Sequence, residues 1–303
     1  MHIQWFPGHM HKAGKEIKAI LPDIDLVIEI LDARLPYSSE NPALKALRGN
    51  KPCIKVLNKN DLADPDVTLL WQQYFEREHN VKTLPVSLYQ PEKIKQIIQL
   101  SQKLAPNKAI SGRRIQALVT GIPNAGKSSV INVLAGRVIA KTGNEPAITK
   151  RQQRIDLGNN FTLLDTPGLL WANIRNHNSG FRLAVTGAIK DTAFYHDEVA
   201  LFAARYILSQ YPGLLNSRYN FKQIPTNAHE VLSFLGTNRG CLRSGGLVDM
   251  DKAAKILLSD IRTGKLGRIS FETPDMVTTE LNELALLQNS EPINNPSSTI
   301  ISS

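Results

Sequence analysis

Short runs of apolar residues recur along the first half of the chain and mark candidate buried strands. These runs cover residues 25–31, 53–57, 81–86 and 115–120. A run of this length, bounded by turn-forming residues, is typical of a strand that is buried on both faces. Two further runs, residues 154–157 and 161–164, flank Gly158-Asn159-Asn160 and predict a hairpin.

Segments with helical spacing of apolar residues lie between these strands. They cover residues 69–78, 92–104 and 128–135. Strands that alternate with helices predict an α/β fold, in which a mostly parallel sheet carries helices on both faces. Ligands of such sheets bind at the carboxyl ends of the strands. The residues that follow each strand are therefore the candidates for a binding site.

The pattern changes after about residue 176, where the strand pattern gives way to helical spacing. Residues 197–209 and 228–235 are predicted helices, the second ending at Gly236. Asp249 suits the N-cap of a third helix that runs to Thr263, and Gly264 suits its C-terminal stop. We predict an α/β domain over residues 1–175, a small all-α domain over 176–288 and a disordered polar tail over 289–303.

A phosphate-binding motif follows the strand at residues 115–120. The segment Gly121-Ile-Pro-Asn-Ala-Gly-Lys127-Ser128 has the two glycines, with four residues between them, and the Lys-Ser pair of a P-loop. Backbone N–H groups of such a loop surround phosphates, the lysine reaches the β- and γ-phosphates, and the hydroxyl binds magnesium. The residues predicted to line this site are Asn124, Ala125, Gly126, Lys127, Ser128 and Ser129.

A guanine-reading motif follows the strand at residues 53–57. In Asn58-Lys59-Asn60-Asp61, the carboxylate can accept hydrogen bonds from guanine N1–H and its exocyclic amine. Adenine lacks both donors and would leave that carboxylate unpaired, so discrimination can be large. Lys59 is expected to pack over the base, and Asn58 to join the neighbouring loops. Ser87, after the third strand, is expected to close the base pocket through its backbone amide.

A sensor motif, Asp165-Thr166-Pro167-Gly168, follows the last strand of the predicted hairpin. Asp165 is expected to reach magnesium through water, and the Gly168 amide to contact the γ-phosphate. Thr149, in Pro146-Ala-Ile-Thr149, is the candidate for a first switch that contacts magnesium. An ordinary loop threonine is the alternative for Thr149. Together the motifs predict a GTP/GDP site with Mg²⁺ bound by Ser128, Thr149 and Asp165.

The order of the motifs indicates a circular permutation. In most GTPases the guanine reader follows the P-loop, whereas here Asn58 precedes Gly121 and Asp165. The carboxyl ends of neighbouring strands lie together whatever their order along the chain, so one binding site remains possible. The predicted fold is therefore a circularly permuted P-loop GTPase domain followed by a small all-α domain.

Composition and charge narrow the class of protein. Lys and Arg outnumber Asp and Glu by 36 to 27, and ten basic residues stand against one acidic residue between Lys103 and Arg154. Such an excess favours a polyanionic partner such as RNA, although a solvated surface is the simpler alternative. Two cysteines in unrelated contexts make a disulfide framework or zinc site improbable. With no signal peptide and no membrane span, we predict a cytoplasmic protein.

These residues, in this order, resemble the circularly permuted ribosome-assembly GTPases. Besides the nucleotide motifs, the resemblance rests on Trp5-Phe-Pro-Gly-His9-Met10, Asp32-Ala-Arg34-x-Pro36 and Arg239-Gly-Cys-Leu-Arg-Ser-Gly-Gly246. It implies GTP hydrolysis coupled to late maturation of the large ribosomal subunit, with rRNA as a partner of both domains. No feature indicates an obligate oligomer, so a monomer is expected. Ala147 stands where the family's first switch usually has glycine, and alanine disfavours the positive φ that glycine allows.

The residue that should orient the attacking water differs from that of Ras-like enzymes. Leu169 occupies the place of their glutamine, and an apolar side chain cannot position water. We therefore predict slow hydrolysis by the protein alone. The resemblance implies two sources of help, which are His9 as a ribosome-dependent catalytic residue and a potassium ion bound by Asn124. The alternatives are an RNA-contacting or loop-ordering role for His9 and a turn-forming role for Asn124.

Three other functions fit parts of the sequence. An RNA-binding scaffold could use GTP only to stabilise its fold, which the missing glutamine permits. A P-loop phosphotransferase such as a nucleotide kinase is disfavoured by Asp61 and by the lack of a second substrate lid. A GTPase that acts on tRNA or on membranes would keep the same nucleotide site and change only the partner.

Overall fold

A six-stranded sheet forms the centre of the molecule. The structure, a computed structural model, describes residues 8–140, 152–171, 174 and 176–290, without the side chains of 8–13 and 288–290. The strands are β1 (Leu26–Asp32), β2 (Cys53–Asn58), β3 (Val81–Pro85), β4 (Ile115–Gly121), β5 (Gln153–Asp156) and β6 (Phe161–Asp165). Their order across the sheet is β3-β2-β1-β4-β6-β5.

The predicted strands and their direction are confirmed. All neighbouring pairs run parallel except β5 and β6, which form the expected antiparallel hairpin. β1 and β2 are buried along their whole lengths because helices cover both faces of the sheet, which explains their continuous apolar runs. The carboxyl ends of β1, β2, β4 and β6 consequently lie side by side at one edge of the sheet.

Seven helices of the described chain precede or separate these strands, several more than the sequence pattern predicted. They are α1 (Gly8–Ile20), α2 (Pro36–Ser39), α3 (Pro42–Arg48), α4 (Pro65–Phe75), α5 (Pro91–Leu104), α6 (Pro106–Ile110) and α7 (Lys127–Ala135). Short 3-10 helices span Leu21–Asp23 and Asp191–Ala193. The predicted start of α4 at residue 69 was wrong, since Asp64 caps the helix by accepting from the Asp66 and Val67 amides.

The described residues after 176 form helices and no strand of the sheet. These helices are α8 (His177–Val185), α9 (His196–Gln210), α10 (Pro212–Tyr219), α11 (Ala228–Asn238), α12 (Met250–Arg262) and α13 (Pro274–Ser290). The cap and stop of α12 are confirmed, because Asp249 accepts from the Lys252 amide and Gly264 adopts φ +75°. Since α13 ends at Ser290, positions 289 and 290 of the predicted tail are helical, and residues 291–303 lie outside the described chain.

The prediction that Gly236 ends α11 was wrong. The helix continues to Asn238, and Gly236 lies inside it. A Cβ atom at this position would overlap the side chain of Val248 and meet that of Ala253 at 3.4 Å. The glycine is therefore required by close packing against the start of α12 rather than by a change of backbone direction.

The helical segment packs directly on the sheet segment. The indole of Trp71 on α4 donates to the Glu272 carbonyl at 3.0 Å, and the Phe271 amide donates to the Arg34 carbonyl at 2.7 Å. Buried apolar side chains of both segments belong to one continuous core. The division at residue 175 into two domains stays a prediction. In the described residues, none of the helices is long and apolar enough to cross a membrane.

Candidate functional site

The P-loop connects β4 to α7 and passes close to β2. Gly126 has φ +89°, a conformation that side chains with a Cβ atom rarely adopt. A Cβ atom there would overlap the amide nitrogen of Asn58, and one at Gly121 would overlap the Ile30 carbonyl oxygen. Both glycines are therefore required where the loop approaches neighbouring strands. Ser128 and Ser129 lie half-buried in the first turn of α7.

Asn58 joins the guanine-reader motif to the P-loop. Its amide nitrogen donates to the Ala125 carbonyl at 2.7 Å, across the neighbouring strand β1. Within the described residues its Oδ1 atom is buried without a hydrogen-bond partner. Asn58 thus connects the end of β2 to the P-loop, and its part in nucleotide binding stays a prediction.

Lys59 binds the P-loop backbone in the same way. Its ammonium donates to the Asn124 carbonyl and lies 3.0 Å from the Asp32 carboxylate. The residue adopts φ +60°, so the chain turns sharply directly after β2. Burial lowers the pKa of Lys59, although the Asp32 carboxylate opposes this shift. Lys59 is thus fixed at its charged end beside the loop expected to hold the phosphates.

Asp32 and Arg34 form a buried support for Lys59 that the sequence analysis did not predict. Arg34 donates to both Asp32 carboxylate oxygens, at 2.9 and 2.7 Å. Burial acts to raise the pKa of Asp32, but the charges of Arg34 and Lys59 outweigh it and hold the pKa below its ordinary range. The signal was present in the sequence, since an acidic residue ends the buried strand β1 and a basic residue lies two positions after it.

The loops around the expected base pocket also meet. The Asn60 amide donates to the Val86 carbonyl at 3.1 Å, which places the Asp61 segment beside Ser87. Asp61 is half-buried, whereas Ser87 is buried and its hydroxyl accepts from the Tyr89 amide at 3.3 Å. The structure therefore brings together the residues that were predicted to recognise the base.

Lys127 and Asp165 form a buried ion pair between the P-loop and the sensor motif. Burial raises the pKa of the Asp165 carboxyl, while the charge of Lys127 opposes the rise. In the described part of the chain, the second carboxylate oxygen of Asp165 is buried without a hydrogen-bond partner. A buried oxygen of this kind suits a bound cation or its water ligand, because an unsatisfied charged acceptor is costly.

The segment after Asp165 lies against the P-loop. A Cβ atom at Gly168 would lie 3.1 Å from two Pro123 backbone atoms, so the chains are in close contact. The Leu169 amide donates to the Gly121 carbonyl at 3.0 Å, and its side chain is buried. Leu169 thus packs in the protein interior at the place where Ras-like enzymes carry a water-orienting glutamine.

Asn124 connects the P-loop to the helical segment. It adopts φ +59°, and its amide nitrogen donates to the Gly187 carbonyl at 2.7 Å, just after α8. This contact was not predicted, because nothing in the spacing of the two residues indicates that they meet. It orients the amide group at the position expected to bind potassium.

Two predicted site residues lie wholly or partly outside the described residues. Thr149 lies outside the described residues, and so does the side chain of His9. The backbone of His9 lies in the first turn of α1, which packs against the rest of the molecule through the buried Ile17. The first-switch and catalytic assignments therefore stay predictions.

The chain is similar in sequence to a known protein family and to a named bacterial protein. Residues 116–218 match the family described as "50S ribosome-binding GTPase". The chain is 44% identical over 282 residues to the protein named "Ribosome biogenesis GTPase A" from Priestia megaterium, covering 90% of this chain and 98% of that one.

Solved structures of the T. maritima protein YlqF are also similar. The GNP-bound form has a TM-score of 0.62 and 26% identity, covering 88% of this chain and 99% of that chain. The GDP-bound form has a TM-score of 0.61 and 26% identity, covering 86% and 99%. These likenesses extend through both the sheet and the helical segments.

Proposed function

Because the chain belongs to the family of ribosome biogenesis GTPases, like its relative from Priestia megaterium, we propose that it acts as a GTP-driven switch in late assembly of the large ribosomal subunit. In this proposal the protein binds GTP, associates with the subunit, and leaves after hydrolysis to GDP and phosphate. The observation that carries the proposal is the meeting of three separated motifs at one edge of the sheet. Asn58 and Lys59 bind the P-loop backbone, and Lys127 pairs with Asp165.

The phosphates of the nucleotide would lie along the P-loop. Backbone N–H groups from Asn124 to Ser129 would surround them, with Lys127 moving from Asp165 to the β- and γ-phosphates. Exchange of one buried partner for another keeps the ammonium paired. The pairing with Asp165 supports this proposal, because it places the lysine between the loop and the sensor.

The donor set suits a magnesium ion. Ser128 and Thr149 would supply hydroxyl oxygens, and the buried second oxygen of Asp165 has no partner among the described residues. When bound, magnesium neutralises charge on the phosphate oxygens. Gly168 would add a backbone N–H group toward the γ-phosphate, and its close contact with Pro123 supports that position.

Guanine would be recognised by the loops after β2 and β3. Asp61 would accept from the N1–H and the exocyclic amine, with the stem of Lys59 against the base and Ser87 closing the pocket. The contact of the Asn60 amide with the Val86 carbonyl supports this grouping. ATP would bind poorly, since adenine offers neither donor to the carboxylate.

Hydrolysis by the protein alone would be slow because Leu169 is buried and cannot orient water. We propose that His9 orients or polarises the attacking water once the subunit is bound, as a histidine can near neutral pH. Asn124 would hold a potassium ion near the phosphates. Its hydrogen bond to the Gly187 carbonyl supports a fixed orientation of that amide group.

The partner would be the large subunit and its rRNA. The basic excess between Lys103 and Arg154 supports a phosphate-rich partner. The relatives named for ribosome biogenesis point in the same direction. A monomeric state and a cytoplasmic location stay predictions.

GTP turnover with and without purified large subunits, in potassium buffer, tests the proposal. We expect strong stimulation by the subunits, and His9→Ala should lower the stimulated rate by about a hundredfold. His11→Ala, two residues along the same helix, is the matched control and should keep the rate. Full stimulated turnover in His9→Ala would remove His9 from catalysis.

The other outcomes separate the competing functions. GTP-dependent binding to the subunit without stimulation would favour the scaffold that uses GTP only for its fold. Absence of both binding and stimulation would overturn the ribosomal assignment and leave the nucleotide site. Replacing potassium by sodium tests the role of Asn124. The turnover rate of the wild type should fall in sodium, whereas the rate of Asn124→Ala should be the same in both salts.

A further inference from the structure

The guanine-reader loop is bound along its length by a segment of the helical part of the chain. We propose that Arg268, in the connection between α12 and α13, is a positioning residue for guanine recognition by Asp61. The inference rests on the proposed function, since it assumes that Asp61 reads the base. In this proposal the helical part of the chain contributes to the specificity of the nucleotide site for guanine.

Arg268 spans the loop that contains Asp61. Its Nε atom donates to the Ala63 carbonyl at 2.8 Å, and a terminal nitrogen donates to the Asn60 carbonyl at 3.0 Å. These two carbonyls flank Asp61 on either side along the chain. A planar guanidinium offers several donors in a rigid arrangement, so it can hold two carbonyls at a defined separation.

The residues after Arg268 continue the contact. The Ile269 amide donates to the Leu62 carbonyl at 2.9 Å. The Asp64 amide donates to the Ser270 hydroxyl at 3.2 Å, and the Tyr211 hydroxyl donates to the Asp64 carboxylate at 3.1 Å. Residues 60, 62, 63 and 64 are thus all bound by the helical part, which leaves Asp61 in the middle of a fixed loop.

The end of α12 also packs against this loop. Gly264 has φ +75°, and a Cβ atom there would overlap the side chain of Leu62. The close approach explains how the connection after α12 lies near enough for Arg268 to reach Asn60. The residue after β3 also supports the loop, since the Asn60 amide donates to the Val86 carbonyl.

A fixed loop matters because recognition of the base depends on the alignment of its hydrogen bonds with Asp61 as well as on the charge of that carboxylate. Hydrogen bonds weaken steeply when donor and acceptor are misaligned. Without Arg268, the backbone on both sides of Asp61 loses a hydrogen bond, and the carboxylate samples more orientations. Guanine affinity should then fall, whereas phosphate binding by the P-loop should remain.

The test compares three ligands in competition with a fluorescent GDP analogue. GDP presents both donors to Asp61, IDP lacks the exocyclic amine, and inorganic pyrophosphate has no base. For Arg268→Ala we expect GDP affinity to fall about tenfold, a smaller loss for IDP, and unchanged pyrophosphate affinity. The preference for GDP over IDP should therefore shrink, and Arg268→Lys should recover part of it.

Two variants serve as controls. Arg218→Ala removes an arginine that pairs with Asp260 inside the helical part, so it should keep the wild-type preference. Asp61→Ala should abolish the preference and marks the maximal loss. If Arg268→Ala does not fold, Ser270→Ala removes the bond from the Asp64 amide and should shift the preference in the same direction.

The outcomes distinguish the inference from the function on which it rests. A wild-type protein without preference for GDP over IDP would overturn both. A wild-type preference that Asp61→Ala abolishes and Arg268→Ala leaves intact would overturn only the role of Arg268. Equal losses for GDP, IDP and pyrophosphate would also overturn it, because they would indicate a general loss of structure.

Discussion

Individual side chains of the guanine-reader motif bind the backbone of the P-loop. Asn58 donates to the Ala125 carbonyl, and Lys59 donates to the Asn124 carbonyl. Buried and half-buried donors placed against backbone carbonyls stabilise both loops at once. The proposed phosphate and base sites are therefore one hydrogen-bonded unit, and Gly126 lies at its tightest point.

Replacing Gly126 by alanine should disrupt this unit. The new Cβ atom would overlap the Asn58 amide nitrogen, in a backbone conformation with φ +89° that disfavours alanine. A combined strain of about 1–3 kcal/mol should weaken GDP affinity about tenfold or more. Titration calorimetry with GDP measures the change.

Gly136→Ala is the matched control for this substitution. Gly136 also has a left-handed conformation, with φ +64°, but nothing lies within 4 Å of its Cβ position. It should lose some stability and keep its affinity for GDP. Equal affinities in the two variants would contradict the role assigned to the close contact at Gly126.

Helix ends and helix packing follow different rules in this chain, and its glycines show the difference. Gly264 ends α12 through its backbone conformation, as its sequence context predicts. Gly236 lies inside α11 and is required by the side chain of Val248. A glycine that follows apolar helical residues can therefore be required either by a helix end or by close packing inside a helix. The sequence pattern does not distinguish these two explanations.

Gly236→Ala should destabilise the protein although alanine favours helix. The propensity gain of about 1 kcal/mol is outweighed by overpacking of about 1–3 kcal/mol against Val248. Gly14→Ala in α1 is the control, because nothing lies within 4 Å of its Cβ position. Thermal unfolding should show a lower midpoint for Gly236→Ala and an equal or higher one for Gly14→Ala.

A stabilised Gly236→Ala protein would contradict this account. It would mean that α11 and the segment around Val248 separate readily enough to accept the added methyl group. The comparison with Gly14→Ala removes the effect of intrinsic helix propensity, since both positions lie inside helices.

Across the whole molecule, a buried polar cluster joins the sheet segment to the helical segment. Arg182 on α8 pairs with Glu280 on α13 at 2.6 Å and lies 3.4 Å from Glu272. Glu272 in turn accepts from the Ser38 backbone amide at 2.9 Å and from the Ser38 hydroxyl. Burial raises the pKa of Glu272, and the charge of Arg182 opposes that rise.

Removing Arg182 should strongly destabilise the protein. Arg182→Ala leaves Glu272 and Glu280 without their buried cationic partner, which costs about 3–5 kcal/mol in comparable pairs. Arg205→Ala on α9 is the control, because that arginine is exposed and should change stability by less than about 0.5 kcal/mol. Chemical denaturation, followed in both variants, measures the free energy of unfolding. Equal stabilities would mean that the cluster contributes no net stabilisation.

Local sequence patterns predicted the strands and their direction, and they located the motifs to which nucleotide binding is assigned. Continuous apolar runs between turn residues indicate buried parallel strands, and the motifs have fixed spacing because backbone loops must match phosphate geometry. The circular permutation was also predicted from the sequence, because the order of the motifs is given directly by the chain. The sequence pattern missed several helices, which cover residues 8–20, 36–48, 106–110, 177–185, 212–219 and 274–290. The shortest of these segments span too few turns to show a clear apolar face.

Only the tertiary structure decided which distant residues meet. The contacts of Asp32 with Lys59, Asn124 with Gly187, and Arg268 with Asn60 join residues far apart in sequence. Spacing along the chain has no bearing on such contacts, which depend on strand order and on how the helices pack on the sheet. The sequence thus predicted the chemistry of the proposed nucleotide site, whereas the fold selected the groups that support it.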